Sequence, residues 1–479
     1  MSSAIILTNL IWRFAEKLGA QGISLIVTIV MARLLTPNEY GLVAFLMIFI
    51  SILNVFVDSG LGNALIQKKD ADQYDFSTVF YFNVFICFVL YVLLFIAAPL
   101  ISNFYKELIL TPLLRVLGLT LIVSGIKNIQ QAYISRKMMF KRFFYATLIG
   151  TIISGFTGII MAYKGFGIWA LVGQYLSNTV VDTFVLWFTV KWRPTLYFSF
   201  ERFKILFSFG WKLLVSALLD TGYRNLKGLI IGKYYTKADL AYYNNGDKFP
   251  QLIVSNVNSS IGSVLFPYMS QEQENKEMLK KHMRMAIRIS SYIMWPLLIG
   301  LGVCGNSIIS LLLTDKWLPA VPFLQIACFS YGLWPIHTVN LQAIQAMGRS
   351  DLFLKLELLK KIIGLLCIVI AMKYGVLALA LIGIPTSIIS LFINAWPNKK
   401  LLKYNYMEQI KDIMPSFLLA LFMGGIVLII GYIDISKTLL LFCLQIPLGV
   451  IVYILGSILL RYNEFYYILN KIKMIVNFK

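Results

Sequence analysis

Again and again along these 479 residues the chain runs for about twenty positions on side chains that are almost all apolar. A helix rises about 1.5 Å per residue, so each such run can cross the hydrocarbon core of a bilayer. Lipid offers no hydrogen-bond partners, and a spanning backbone must therefore satisfy itself within helices or a closed barrel. Barrel strands alternate over about ten residues, whereas these runs are continuous. Fourteen spans can be drawn, at 11–34, 41–62, 78–101, 110–132, 144–163, 166–190, 209–232, 244–267, 287–312, 320–345, 356–373, 375–396, 413–433 and 438–460. The chain is 59% hydrophobic and 14% charged with mean hydropathy +0.76, where a soluble domain is nearer a quarter charged. The expectation is an all-α polytopic membrane protein of about 14 transmembrane helices. Arg13, Glu16 and Lys17 interrupt the first run, which excludes a cleavable signal peptide there.

The net charge of +21 is distributed by side. With the N-terminus inside and the connections alternating, inward connections and the C-terminal tail carry 26 Lys and Arg against 7 outside. This is the positive-inside pattern of a multi-pass protein with both termini in the cytoplasm. The basicity therefore reports topology and contact with anionic membrane lipids, and a nucleic-acid partner is excluded. Cys87, Cys304, Cys328, Cys367 and Cys443 all fall within spans at unrelated spacings, which fits small apolar fillers.

The chain also repeats itself two hundred positions on. Arg33-Leu-Leu-Thr36-Pro-Asn-Glu39 returns as Lys233-Tyr-Tyr-Thr236-Lys-Ala-Asp239, and in the same register Asp58-Ser59-Gly60-Leu61-Gly62 meets Asn258-Ser259-Ser260-Ile261-Gly262. Gly167-Ile-Trp-Ala-Leu171 echoes as Gly375-Val-Leu-Ala-Leu379. The repeat equates span 1 with 7 and span 2 with 8, an even offset that preserves orientation, as parallel repeats in transporters do. The division is an N-lobe at 1–190, a cytoplasmic linker and surface helix at 191–208, a C-lobe at 209–396, two appended spans within 397–460, and a cytoplasmic amphipathic tail at 461–479.

Ala32-Arg-Leu-Leu-Thr-Pro-Asn-Glu-Tyr-Gly-Leu-Val-Ala44, Asp58-Ser-Gly-Leu-Gly-Asn-Ala-Leu-Ile-Gln67, Gly167-Ile-Trp-Ala-Leu-Val-Gly-Gln174 and Gly348-Arg-Ser-Asp-Leu-Phe353 resemble the polysaccharide-transporter branch of the multidrug/oligosaccharidyl-lipid/polysaccharide (MOP) exporter superfamily. That branch holds the Wzx-type flippases of lipid-linked O-antigen, capsule and exopolysaccharide units. The likeness runs over about residues 10–460. It implies two parallel six-helix lobes around a central cavity, two extra C-terminal helices and alternating access. It also implies an undecaprenyl-pyrophosphate-linked glycan as substrate, a bacterial inner-membrane location, and a polysaccharide polymerase and chain-length regulator as partners.

Charge inside a span costs roughly 2.5–3.5 kcal/mol per residue on insertion scales, so it marks water or a partner. Span 7 stands out, with Lys212, Asp220, Arg224 and Lys227. On a helix, Arg224 lies about 40° to one side of Asp220 and Lys227 about 20° to the other, one stripe with net positive charge. An ion pair within one helix explains Asp220 and Arg224; a cavity-facing stripe that takes an anion explains Lys227 as well. Arg224 and Lys227, with Arg13 and Lys17 near the cytoplasmic end of span 1, are the candidates for holding pyrophosphate. Arg115, Lys127 and Arg288 lie close to span ends, where snorkelling accounts for them. Asp182 has no obvious local cation; with Asp220 it is a candidate for coupling to H+ or Na+. No other cofactor or metal is expected. Gln174, Asn178, Asn256, Asn258, Asn340 and Gln342 are candidates for glycan contacts, although such side chains also join helices. Pro250, Pro267, Pro296, Pro335 and Pro385 mark bends.

Rival readings are a lipid II flippase or a multidrug exporter of the same superfamily, and a membrane glycan polymerase or ligase. The cationic stripe argues against a cationic drug. An enzyme would need acids and bases on an outward loop, and these loops are short; His282 is inward and His337 lies within span 10.

Overall fold

A computed structural model describes the chain except residues 1–2, 59, 69, 272–274, 432–437 and 478–479; the side chains of 3–11, 13–18 and scattered others, including 472 and 474–477, are also outside the description. Ser59, Lys69 and the side chains of Arg13, Glu16 and Lys17 thus fall outside the described residues. So do those of Ser260, Pro267 and Ile472. The described chain is helical, with no strand among the described residues. It forms two compact units, Met1–Ala241 and Tyr242–Lys479.

The first unit holds α1 (Ser3–Leu34), α2 (Pro37–Asp58), α3 (Leu61–Gln67), α4 (Gln73–Tyr105), α5 (Leu110–Lys137), α6 (Phe140–Tyr163), α7 (Ile168–Thr189) and α8 (Phe200–Tyr234). From α9 (Lys237–Gln271) the chain passes into the second unit, with α10 (Lys276–Val303), α11 (Gly305–Leu313), α12 (Val321–Gly332), α13 (Trp334–Ala346) and α14 (Ser350–Ala371). It ends with α15 (Val376–Leu381), α16 (Gly383–Leu401), α17 (Tyr406–Gly431), α18 (Thr438–Leu459) and α19 (Asn463–Asn477). Eight segments of the described residues are long and apolar enough to cross a membrane. Helices α1, α7, α8, α9 and α14, outside that set, are 22 to 35 residues long, enough in length to cross a core of about 30 Å.

The two-hundred-residue echo has a local cause. Thr36 and Glu39 form a capping box before α2: the Glu39 carboxylate accepts from the Thr36 amide at 2.7 Å and hydroxyl at 2.9 Å. The Thr36 oxygen accepts in turn from the Glu39 amide at 3.4 Å. Before α9 the Asp239 carboxylate accepts from the Thr236 amide at 3.1 Å and hydroxyl at 2.7 Å, and the Asp239 amide donates back at 3.1 Å. The repeated residues satisfy the orphan amides of a helix start. The two turns also touch: a Cβ on Gly41 would lie 1.7 Å from the Lys237 carbonyl oxygen, so only glycine fits. Lys237 further pairs with Glu107 at 3.8 Å.

Residues 191–208, expected to be a surface helix, divide differently. Positions 191–199 are outside any helix or strand and bend at Leu196, and Phe200 starts α8, which continues unbroken to Tyr234. Pro194 has no amide to donate to a helix. This irregular strap instead takes hydrogen bonds from α4 and α5: Gln130 donates to the Trp192 carbonyl at 3.1 Å, Gln73 to that of Arg193 at 2.5 Å, and the Thr195 amide donates to Ser77 at 3.0 Å. Trp192 is buried among Phe76, Phe80 and Tyr133 in the core of the first unit.

The second unit packs around Trp295, seated where Gly332 leaves room for its ring, with Ile336, Tyr404 and Met423. Its helices break where proline approaches. α12 yields to α13 at Leu333, just before Pro335, and α15 yields to α16 at Ile382, three residues before Pro385. Pro296 is absorbed within α10.

Candidate functional site

α8 carries the charged stripe. Its Gly228 and Gly232 have no side chain, so the helix lies close on Ile48 and Phe45 of α2, and Asn225 donates to the Ser51 hydroxyl at 3.2 Å. With that face fixed, Asp220 and Arg224 form an ion pair one turn apart, at 2.5 Å. Both stay open: the Arg224 side chain is 71% exposed and that of Asp220 44%. Lys227, on the same stripe, is half-buried and engaged in contacts of its own. On a helix that crossed a bilayer, a guanidinium this exposed could not face hydrocarbon at low cost, and the space beside it would be wet or hold an anion. Arg13 and Lys17, expected to share this role, lie outside the described side chains.

Asp182 sits in the opposite environment. α6 presents Gly150, Ser154 and Gly158 at successive turns, and α7 lays Asp182, Asn178 and Gln174 onto them. A Cβ on Gly150 would stand 3.3 Å from the Asp182 side chain, and one on Gly158 2.9 Å from that of Gln174. Asn178 donates to the Ser154 hydroxyl at 3.1 Å. Small residues let the two backbones approach, and polar side chains join them. Of the glycan candidates, Asn178 thus donates within the helix pair, and Gln174 lies against Gly158 in the same seam. Asp182 itself, 9% exposed, accepts from the Lys127 ammonium of α5 at 2.8 Å. Lys127 therefore pairs inward instead of snorkelling. One residue on, Asn128 donates to Asp58 at the end of α2, also at 2.8 Å. Two carboxylates thus gather around one ammonium, from α2, α5 and α7.

In the second unit Asn340 is fully buried in a carboxamide knot. It donates to Gln409 at 2.7 Å and accepts from Asn398 at 2.7 Å and Gln409 at 3.1 Å, joining α13, α16 and α17. Asn256 donates to the Leu252 carbonyl of its own helix at 2.8 Å. Asn258 and Gln342 differ: each holds a buried side-chain oxygen with no hydrogen-bond partner among the described residues. His337 lies 3.2 Å from Ser387 and 3.3 Å from Asn394, a hydrogen-bonded interior residue.

Sequence reasoning passed over one centre. In α9, Asp247 accepts from the Tyr331 hydroxyl at 2.7 Å, beside the half-buried Lys248. The signal available was the polar run Asn244-Asn-Gly-Asp-Lys248 at the head of an otherwise apolar span. No group of three or more His, Cys, Asp or Glu side chains placed to hold a metal occurs among the described residues.

The comparisons with known proteins agree with this architecture. The family described as polysaccharide biosynthesis protein matches residues 30–322. The chain is 25% identical to the teichuronic acid biosynthesis protein TuaB of Bacillus subtilis (strain 168), over 77% of either chain. It is also 25% identical to the lipopolysaccharide biosynthesis protein WzxC of Escherichia coli (strain K12), over 84% of this chain and 82% of that one. Among solved structures, the lipid II flippase MurJ in an inward closed conformation superimposes with a TM-score of 0.78, covering 94% of this chain and 99% of its own, at 16% identity. At that identity the likeness carries the fold alone. A multi-pass helical fold, a family match over more than half the chain and the relatives' own names converge: this chain belongs to the polysaccharide biosynthesis protein family.

Proposed function

We propose that the protein is a transporter, not an enzyme, that carries an undecaprenyl-pyrophosphate-linked oligosaccharide from the inner to the outer leaflet of a bacterial inner membrane by alternating access, with both termini cytoplasmic. The relatives' names, a teichuronic acid and a lipopolysaccharide biosynthesis protein, support a glycan as cargo. The observation that carries the reading is Arg224: a guanidinium 71% exposed on α8, paired one turn away with Asp220. Arg matches phosphate oxygens with a planar fork, and the stripe adds Lys227 as a point charge. Arg13 and Lys17 complete the pyrophosphate contacts in this reading. Asn256, Asn258 and Gln342 supply glycan contacts in this reading.

Coupling falls to Asp182. Its pair with Lys127, close to Asp58, changes net charge when one proton or Na+ enters, and that change can bias one conformation over another. Asp220 plays the matching part on α8 by releasing Arg224 to the substrate.

Reconstituted vesicles test the proposal. Arg224→Ala should reduce movement of a lipid-linked glycan across the bilayer at least about tenfold with protein level unchanged. Wild-type movement by that variant would overturn the assignment.

A further inference from the structure

α10 changes character along its length. Lys276, Lys280, Lys281, Arg284 and Arg288 crowd its first half, and from Ile289 to Val303 it carries no charge. The change of character in a membrane-crossing helix marks the headgroup level. There, Lys281, Arg284 and Arg288 line one wall of a cavity of about 310 Å³, and Glu464 and Tyr467 of α19 line the other. Ile289 continues that wall into the apolar half of α10.

The tail helix is fastened in place. Arg461 adopts a left-handed conformation (φ 51°) that turns the chain back after α18, and the Tyr462 amide closes the turn onto the Ser457 carbonyl at 2.9 Å. Phe465 and Ile468 then pack on the core of the second unit, and the Tyr462 ring centre lies 6.2 Å from that of Tyr292.

Charge in the cavity does not cancel. Arg284 and Arg288 both reach Asp412, at 2.7 and 3.1 Å, and Arg288 also reaches Glu464 at 3.6 Å. Asp412, 1% exposed, additionally accepts from Tyr404 at 2.8 Å. Lys281 is exposed and has no ion pair among the described residues, which leaves three cations against two carboxylates. Neither arginine is sealed off, with 44% and 37% of their side chains open.

We propose that this cavity binds the phosphate headgroup of an anionic phosphoglycerolipid and that the bound lipid clamps α19 to α10. The site offers two guanidinium groups and an ammonium to phosphate oxygens, a Tyr467 hydroxyl for the polar headgroup, and an apolar exit along Ile289 for the acyl chains. A soluble phosphate would leave that exit unused, and the choline of a zwitterionic headgroup would meet net positive charge.

The full-length protein should retain phosphatidylglycerol over phosphatidylcholine in native mass spectrometry, and phosphatidylglycerol should raise its thermal midpoint more at equal mole fraction. Lys281→Glu should cut that retention at least about fivefold, while Lys164→Glu, on an exposed turn of the first unit, leaves it unchanged. Arg288→Lys keeps a charge opposite Asp412, so the protein folds, yet loses the planar fork and should retain the lipid less well than wild type. Equal retention of the two lipids, wild-type retention by Lys281→Glu, or complete displacement of phosphatidylglycerol by an equal concentration of glycerol phosphate would each overturn the proposal.

Discussion

Asp182 and Asp220 are both acids on long helices, each with a basic partner, yet they are built for different work. Asp182 is 9% exposed and meets Lys127 from another helix, held at 2.8 Å where α6 and α7 close on glycine and serine. Asp220 is half open, and its partner Arg224 comes from its own helix and is 71% exposed. A pair made across helices ties the fold together; a pair made within one exposed helix adds little to it and leaves the cation available. Burial decides, because removing one member of a sequestered pair strands a charge that an open pair would simply hydrate.

That contrast can be broken most decisively at Asp182. Asp182→Asn should cost about 3 kcal/mol by removing the ion-pair partner of Lys127 and leaving only the more distant Asp58 charge near it. Thermal unfolding in detergent reads the loss, and Lys127→Met on top of Asp182→Asn should recover much of it. If Asp182→Asn unfolds no sooner than wild type, the pair is not structural. Asp220→Asn should change stability by under about 1 kcal/mol, as open pairs do. Arg224→Ala should likewise leave stability nearly intact but reduce lipid-linked glycan transport at least about tenfold, the scale of one lost charge-assisted contact of about 1.5–3 kcal/mol. Equal damage to folding and transport would make α8 a structural helix like α7.

The helix seams sharpen the same comparison. Gly158→Val should destabilise by about 1–3 kcal/mol, because its Cβ meets Gln174 at 2.9 Å. Gly222→Ala on α8 meets nothing within 4 Å and should stabilise by about 0.5–1 kcal/mol as a better helix former. Melting midpoints of the two variants should move in opposite directions.

The smallest effect concerns pH. At the cap of α4, Asp72 is held below the usual carboxylate range: burial pushes it up, but the Asp75 amide and the Arg202 guanidinium at 2.7 Å outweigh that. A lowered folded value means the contribution is present above the ordinary carboxylate range and fades as pH falls through the lowered one. An acid titration of Asp72→Asn should therefore converge on that of wild type at low pH and separate from it near neutrality.

What the chain could disclose by itself was whatever lies within a turn or two. The capping boxes at Thr36 and Thr236 are spelled in four residues, and Asp220 and Arg224 fall on one stripe because a helix repeats every 3.6 residues. The apolar runs announced a polytopic membrane fold for the same reason, since backbone in lipid has few solutions. The family resemblance was legible in turns such as Ala32–Ala44, where glycine, proline and capping residues are constrained locally. Tertiary structure alone decided which polar groups are spent inside the protein. Lys127 finds Asp182 across 55 residues, and Asn340 finds Asn398 across 58 and Gln409 across 69. Helical periodicity says which way a side chain points, but not which helix stands in front of it. Burial and partner choice, and with them the division between structural and available charge, arise only when the helices pack.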